Sequence, residues 1–147
     1  TAPIVIQSID GISLQAATCC HPVPGDRIIG QMRGGHGLSI HRMDCETARK
    51  QISRDAERWI DVEWDEEVSG MFRTLIEITA DDERGILGRI ASEITASNAD
   101  ILQVAMDTES EQVAIIRFTL QAQDRDHLAE VFRRLRKLPQ TRTITRA

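Results

Sequence analysis

From Thr74 to the C-terminus the apolar residues change period in a fixed order, and that order restricts the fold more than any other feature of the chain. TLIEITA alternates, placing Ile76, Ile78 and Ala80 on one strand face before DDERG interrupts it. Ile86, Leu87, Ile90, Ala91 and Ile94 then recur at helical spacing as far as Ser97 and Asn98. ILQVAM and VAIIRFTLQ alternate again, and the polar DTESEQ between them reads as a hairpin. Asp124 stands where an N-cap belongs, ahead of a helical stripe of Leu128, Val131, Phe132, Leu135 and Leu138. Pro139 stops that helix, and TRTITR is a last short strand. The order βαββαβ implies the ferredoxin-like split βαβ arrangement, with two helices on one face of a sheet.

The first half has a different texture. IVIQSI, ISLQAA, RIIGQM and LSIH read as short strands, separated by the turn formers PVPGD and GGHG. Asp44 is placed to cap a helix through CETARKQISRDAER, and WIDVEW sets Ile60, Val62 and Trp64 against Trp59, Asp61 and Glu63 as a half-buried strand. The expected fold class is therefore α+β: a small β-rich α+β domain over residues 1–66, then the βαββαβ domain over 70–147. The acidic WDEEVSG, residues 64–70, is the expected boundary.

All three cysteines and three of the four histidines lie between Cys19 and Cys45. Thiolate and imidazole are zinc's usual ligands, so Cys19, Cys20, His41 and Cys45 are a candidate structural zinc set. The spacing departs from paired zinc-ribbon cysteines: neighbouring side chains on an extended backbone point apart, and small thiols also fill cores. Both readings stand at this point. A cysteine nucleophile beside His21, His36 or His41 lacks an orienting third group, so no catalytic residue is assigned. GGHG leads into a strand without the helix start that phosphate binding uses. Arg27, Arg33, Arg42, Arg49, Lys50, Arg54 and Arg58 form either a phosphate-facing patch or an ordinary solvated surface.

Net charge excludes one class of partner by bulk attraction. At -5, with a pI of about 5.4, the chain does not bind nucleic acid through overall positive charge. With 3 Phe, 2 Trp and no Tyr it also offers few platforms for stacking bases. No apolar run reaches the roughly 20 residues of a membrane span, and TAPIVIQSIDG lacks the regions of a signal peptide, so the expected location is cytoplasmic with no membrane partner. An odd number of cysteines fits reduced thiols or metal ligands better than a disulfide framework. A chain opening on Thr1 is expected to belong to something longer.

In the βαββαβ half, DDERGIL lies where the first strand meets the first helix, and Asn98 to Asp100 where that helix meets the second strand. These junctions are candidates to share one end of the sheet. Free N–H groups at the Ile86 helix start would hold a carboxylate there, and Asp82 or Asp100 an ammonium. Such a site suits a free amino acid; capping and turn chemistry is the plainer alternative.

ATCCHPVPGDRIIGQMRGGHGLSIHRMDCETAR resembles the C-terminal region of bacterial Rel/SpoT proteins, the (p)ppGpp synthetases and hydrolases of the stringent response. Residues from about 70 to 147 resemble the ACT domain that follows it, with DDERGIL in place of the usual D-R-x-G-L-L. The resemblance implies a zinc-finger or ribosome-intersubunit domain that contacts ribosomal RNA, then an ACT domain that dimerises side by side and takes an amino acid at the interface. It implies no catalysis by this chain, because the family's hydrolase, synthetase and TGS domains precede this region. Carried over, the ligand site falls on Asp81, Asp82, Gly85, Ile86 and Leu87, with Asp100 and Ile101 opposite. Many amino-acid-binding ACT domains have Asn where this chain has Asp100. Ile86, Leu87 and Ile101 would suit a branched aliphatic ligand such as Val, Ile or Leu. The expected function is control of the catalytic domains by that amino acid; the alternative is a ribosome-docking module with no amino-acid ligand.

Overall fold

The computed structural model describes residues 2–108, 110 and 112–147. It divides into two compact units, Thr1–Gly70 and Met71–Ala147. No helix among the described residues is long and apolar enough to cross a membrane.

The first unit is a five-stranded mixed sheet. Its strands are β1 (Ile4–Ile6), β2 (Leu14–Ala16), β3 (Ile28–Met32), β4 (Leu38–Arg42) and β5 (Trp59–Trp64), in the spatial order β1-β5-β3-β4-β2. The central β3 runs antiparallel to both neighbours, while β1 and β2 join the edges in parallel. Ile6, Ile28, Leu38, Ile40 and Val62 bury one face. The first two strands are shorter than their apolar runs suggest. Between them the Asp10 carboxylate accepts the N–H groups of Ile12, Ser13 and Leu14 at 2.7, 2.8 and 2.9 Å, a turn that competes with strand pairing. Helix α1 (Glu46–Arg54) stops at Asp55, and residues 56–58 form a 3-10 turn. Its N-cap is Cys45 rather than the expected Asp44, whose carboxylate instead pairs with Arg42 at 3.1 Å.

The second unit has the expected ferredoxin-like order. Strands β6 (Phe72–Asp81), β7 (Asp100–Thr108), β8 (Val113–Ala122) and β9 (Thr141–Arg146) pair antiparallel in the order β7-β8-β6-β9, with α2 (Ile86–Ala96) and α3 (Arg125–Arg136) in the connections. Part of the DTESEQ connection, Glu109 and Glu111, lies outside the described residues. Ile76 and Ile78 oppose Phe118 and Ile116, and these meet Ile90, Ile94, Val131 and Leu135 in one core. Each such side chain taken fully from water contributes roughly 1.5–3 kcal/mol before entropy is charged against it. The other sheet face is polar: Arg117 spans it to Glu77 at 3.4 Å and Asp107 at 2.9 Å. Asp124 caps α3 as its position suggested, accepting the His127 N–H at 2.8 Å.

Candidate functional site

Two places gather chemically competent groups, one in each unit. In the first, β2 leads into a turn at residues 18–20, tied to β4 by the Ala17 N–H donating to Ile40 O at 2.9 Å and closed by the His21 N–H donating to Ala17 O at 2.9 Å. His21 sits at φ 46, so the backbone here is not extended and the two adjacent thiols converge rather than diverge. His41 reaches the same point from the end of β4. Cys45 follows through a tight turn, its N–H donating to Arg42 O at 3.1 Å. The ligand atoms of Cys19, Cys20, His41 and Cys45 all lie within 4.8 Å of one another.

Those separations fit a tetrahedral ion. Zinc bonds of about 2.3 Å to sulfur and 2.0–2.1 Å to nitrogen place neighbouring ligand atoms about 3.5–3.8 Å apart. Cys19 Sγ is 3.4 Å from His41 Nδ1 and 3.5 Å from Cys45 Sγ, while Cys20 Sγ is 3.9 Å from His41 Nδ1 and from Cys19 Sγ. The residues therefore could hold a metal as three thiolates and one neutral imidazole. Burial keeps His41 neutral by pushing its pKa down, aided by the Arg33 charge. Burial pushes the Cys20 thiol up to about 12, partly offset by the Arg42 N–H that donates to its sulfur at 3.3 Å. Burial also raises Cys19, reinforced by Cys45. Cys45 is the exception: burial opposes its ionisation, but the Ala48 and Thr47 amides and its neighbouring thiols hold its pKa below the ordinary thiol value. No amide makes a geometric cap bond to Cys45, so this is the field of the helix start acting at longer range.

Beside the cluster is an open cavity of about 480 Å³, with Cys19 and His41 on its wall and Arg33, His36 and Arg58 around it. Among the described residues no carboxylate lines it. Of the seven basic residues the sequence singled out, these two arginines alone reach the cavity. Arg58 also pairs with Asp55 at 2.9 Å, whereas Arg42 pairs with Asp44 and Arg49 Nε donates to Met43 O at 3.3 Å. Trp59 was not singled out, yet its ring packs against His41 with centroids 5.1 Å apart. No spacing rule connects residues on different strands, so only the two registers across β3 together, His41 opposite Ile29 and Trp59 opposite Gln31, could have suggested it.

In the second unit, β6 passes into α2 through residues 82–85. Gly85 is the α2 N-cap at φ 82, in the left-handed region, and no side chain caps the helix. The Ile86 N–H is taken by Glu83 O at 3.1 Å and the Arg89 N–H by Gly85 O at 3.1 Å. The Leu87 and Gly88 N–H groups between them have no intrahelical acceptor and no acidic residue in the first turn. Ile86 is buried; Leu87 stands 38% exposed beside those amides. Asp81 is occupied by Arg142 at 2.6 Å, and Glu83 by Arg89 at 3.7 Å and Gln140 at 3.0 Å. Asp82 is exposed, and among the described residues its carboxylate has no side-chain partner.

The expectation that both junctions share one sheet end is not met. Asp81 opposes Val113, whereas Asp100 opposes Gln121 at the other end of β8. The reason is the direction of the chain: β6 and β7 run the same way with α2 returning between them, so a junction entering α2 and a junction leaving it must lie at opposite ends. Within one chain, Asp100 and Ile101 are apart from Asp81, Asp82, Gly85, Ile86 and Leu87.

Comparison with known proteins bears on both places. The model of the RelA/SpoT RIS domain matches residues 4–65, which include the whole Cys/His cluster. An ACT domain model matches residues 69–146, which include the β6–α2 junction. The chain is 35% identical over 133 residues to the GTP pyrophosphokinase of Streptomyces coelicolor, covering 90% of this chain and 16% of that protein. It is 32% identical over 141 residues to the bifunctional (p)ppGpp synthase/hydrolase SpoT of Escherichia coli K12, covering 96% of this chain and 20% of that protein. The chain belongs to the Rel/SpoT family. This Rel/SpoT chain thus spans about a fifth or less of the curated relatives it matches, and the part it spans is their RIS and ACT region. Among solved structures, the crystallographic ACT domain from the GTP pyrophosphokinase of Chlorobium tepidum covers 53% of the Rel/SpoT chain and is itself covered in full, at 19% identity and a TM-score of 0.48.

Proposed function

We propose that this chain is the regulatory region of a bifunctional (p)ppGpp synthetase/hydrolase of the stringent response, and that its ACT domain binds a branched-chain amino acid between two copies. The observation that carries the reading is the α2 start. The Leu87 and Gly88 N–H groups, unpartnered among the described residues, can donate to a ligand carboxylate at the positive end of the helix, and exposed Leu87 offers an apolar wall beside them. Asp82 supplies a carboxylate for an ammonium group. Val, Ile or Leu carries this set of charges with an aliphatic side chain.

The second copy completes the site. Strand β7 is an edge, and its Val104 and Met106, which face the same side as core residues Phe118 and Ile116, are 45% and 40% exposed. A bare apolar edge invites pairing with another strand. Antiparallel pairing of two β7 edges would set Asp100 of one copy beside Thr108 of the other. Thr108 opposes Ala114, next to Val113 at the Asp81 end of the sheet. Two-fold symmetry thus brings Asp100 and Ile101 of one copy toward the Leu87 junction of the other, which a single chain does not do. Such a ligand controls the catalytic domains only by binding their two states with unequal affinity. Calorimetry tests the reading: Val, Ile or Leu should give saturable heat and Lys or Asp none, and absence of heat from all of them would reject it.

Arg33 on the wall of the first unit's cavity, with Arg58 beside it shared with Asp55, favours a second role in ribosome docking through RNA phosphates. In the same domain the Cys/His cluster would hold a structural zinc ion that fixes the cavity's Cys19 and His41 wall. Binding to ribosomes that weakens steeply with salt and with Arg33→Glu would support docking. Docking without any amino-acid effect would leave the alternative, a module with an empty ACT site.

A further inference from the structure

We propose that Cys19 and Cys45 are an oxidation site, a dithiol that peroxide closes to an intramolecular disulfide, displacing any metal the cluster holds. The two sulfurs, 26 residues apart in sequence, lie 3.5 Å from each other. Only one of the three thiols is open to solvent: Cys19 is exposed, while Cys20 and Cys45 are buried. Cys19 also forms part of the wall of the open cavity of about 480 Å³, which Arg33, His36 and Arg58 line too, so a small polar oxidant reaches it from the solvent side. The third sulfur is held out of the reaction. Cys20 is 1% exposed and accepts the Arg42 N–H at 3.3 Å.

Chain geometry selects Cys45 over Cys20 as the partner. Consecutive Cα atoms are held about 3.8 Å apart, below the roughly 4.4–6.8 Å that a disulfide spans, so a Cys19–Cys20 bond would be strained. Cys45 has no such restriction, because it sits across the cluster at the N-cap of α1. Thr18 and Cys19 of the turn are exposed, so no core packing holds the Cys19 side chain away from Cys45.

The exposed Cys19 thiol gives up its proton as its sulfur attacks one oxygen of hydrogen peroxide; the O–O bond breaks, and the departing hydroxide takes that proton and leaves as water, giving a sulfenic acid at Cys19. The Cys45 sulfur then attacks Cys19 Sγ, the S–OH bond breaks, and a second water leaves as the S–S bond forms. Two thiols lose two electrons, one peroxide takes them, and two waters result. A sulfur in a disulfide is no longer a thiolate ligand, so two of four donors are lost and metal held by Cys20 and His41 alone is released. The closure is also available to the metal-free chain, so it can fail or hold independently of the metal reading.

The 147-residue chain, reduced and either metal-free or zinc-loaded, is treated with a few equivalents of hydrogen peroxide. Free thiols should fall from three to one per chain, a non-reducing peptide map should join Cys19 to Cys45, and dithiothreitol should reverse it. In the loaded chain, zinc should appear in a chromogenic assay at the rate the disulfide forms. Cys20→Ser should still close, and Cys45→Ser should stop at a Cys19 sulfenic acid that dimedone traps. A Cys19–Cys20 bond, a link between chains, or irreversible oxidation without a disulfide in the unsubstituted chain would overturn the proposal, and that result needs no variant to fold.

Discussion

Asp81 and Asp100 lie at opposite ends of one four-stranded sheet, Asp81 across from Val113 and Asp100 across from Gln121. A ligand touching the α2 start cannot also touch Asp100 of the same chain. Any site that uses both must be shared by two copies, which makes dimerisation part of recognition and couples ligand affinity to chain concentration.

Metal binding should release protons. At neutral pH, burial keeps Cys19 and Cys20 protonated, Cys20 with its pKa near 12, whereas His41 is already neutral. Zinc needs all three thiols as thiolates, so about two to three protons should leave per ion, and affinity should fall steeply as pH drops. Calorimetry in buffers of different ionisation enthalpy counts them. Cys20→Ala should cut bound zinc from about one per chain to near zero and abolish the lowering of the first unit's melting midpoint by a chelator.

Asp10 gives a pH test of the first unit's loop. Three backbone N–H groups and the Ser13 hydroxyl hold its carboxyl well below the usual carboxylate range, the Leu14 N–H contributing most. A folded pKa depressed in this way contributes stability above the unfolded value of about 3.9, and loses it as pH falls through the folded value. Asp10→Ala should lower the urea midpoint at pH 7, and the difference from the unsubstituted chain should shrink progressively below about pH 4.

Two glycines with nearly the same φ should respond differently to alanine. Gly85 at φ 82 has open space where a Cβ would go, so Gly85→Ala should cost only the left-handed penalty of about 1 kcal/mol. Gly37 at φ 79 would drive a Cβ into the Ser13 carbonyl oxygen, which itself accepts the Leu38 N–H at 2.9 Å. Gly37→Ala should therefore cost clearly more, on the order of 2–3 kcal/mol, by urea denaturation.

The second unit was legible because each element announced its own period. Ile76, Ile78 and Ala80 on β6, Ile86, Ile90 and Ile94 on α2, and Asp124 at the α3 cap all fell where alternation, helical spacing and capping chemistry placed them. What failed was the use of the element order: a βαβ crossover already returns the chain along α2, which puts the two junctions of that helix at opposite sheet ends and separates Asp100 from Asp82 within one chain. In the first unit, the four ligand residues were legible by type, but their convergence was not. Adjacent thiols reach one point only because residues 18–20 turn and His21 takes φ 46, and the cap falls on Cys45 because α1 begins at Glu46, one residue later than the sequence suggested.

The shared site is tested most directly by mixing two defective chains. Leu87→Glu should block the α2 side of every site its chain lends to, and Asp100→Lys the opposite side; both positions are exposed, so neither change should unfold the chain. In a dimer of one of each, both lesions fall in one site and the other is intact. Neither homodimer should bind valine, and the unfolded and re-annealed mixture should recover binding at about one ligand per mixed dimer. A mixture that binds no better than its parents, or an Asp100→Lys homodimer that binds normally, would contradict the shared site.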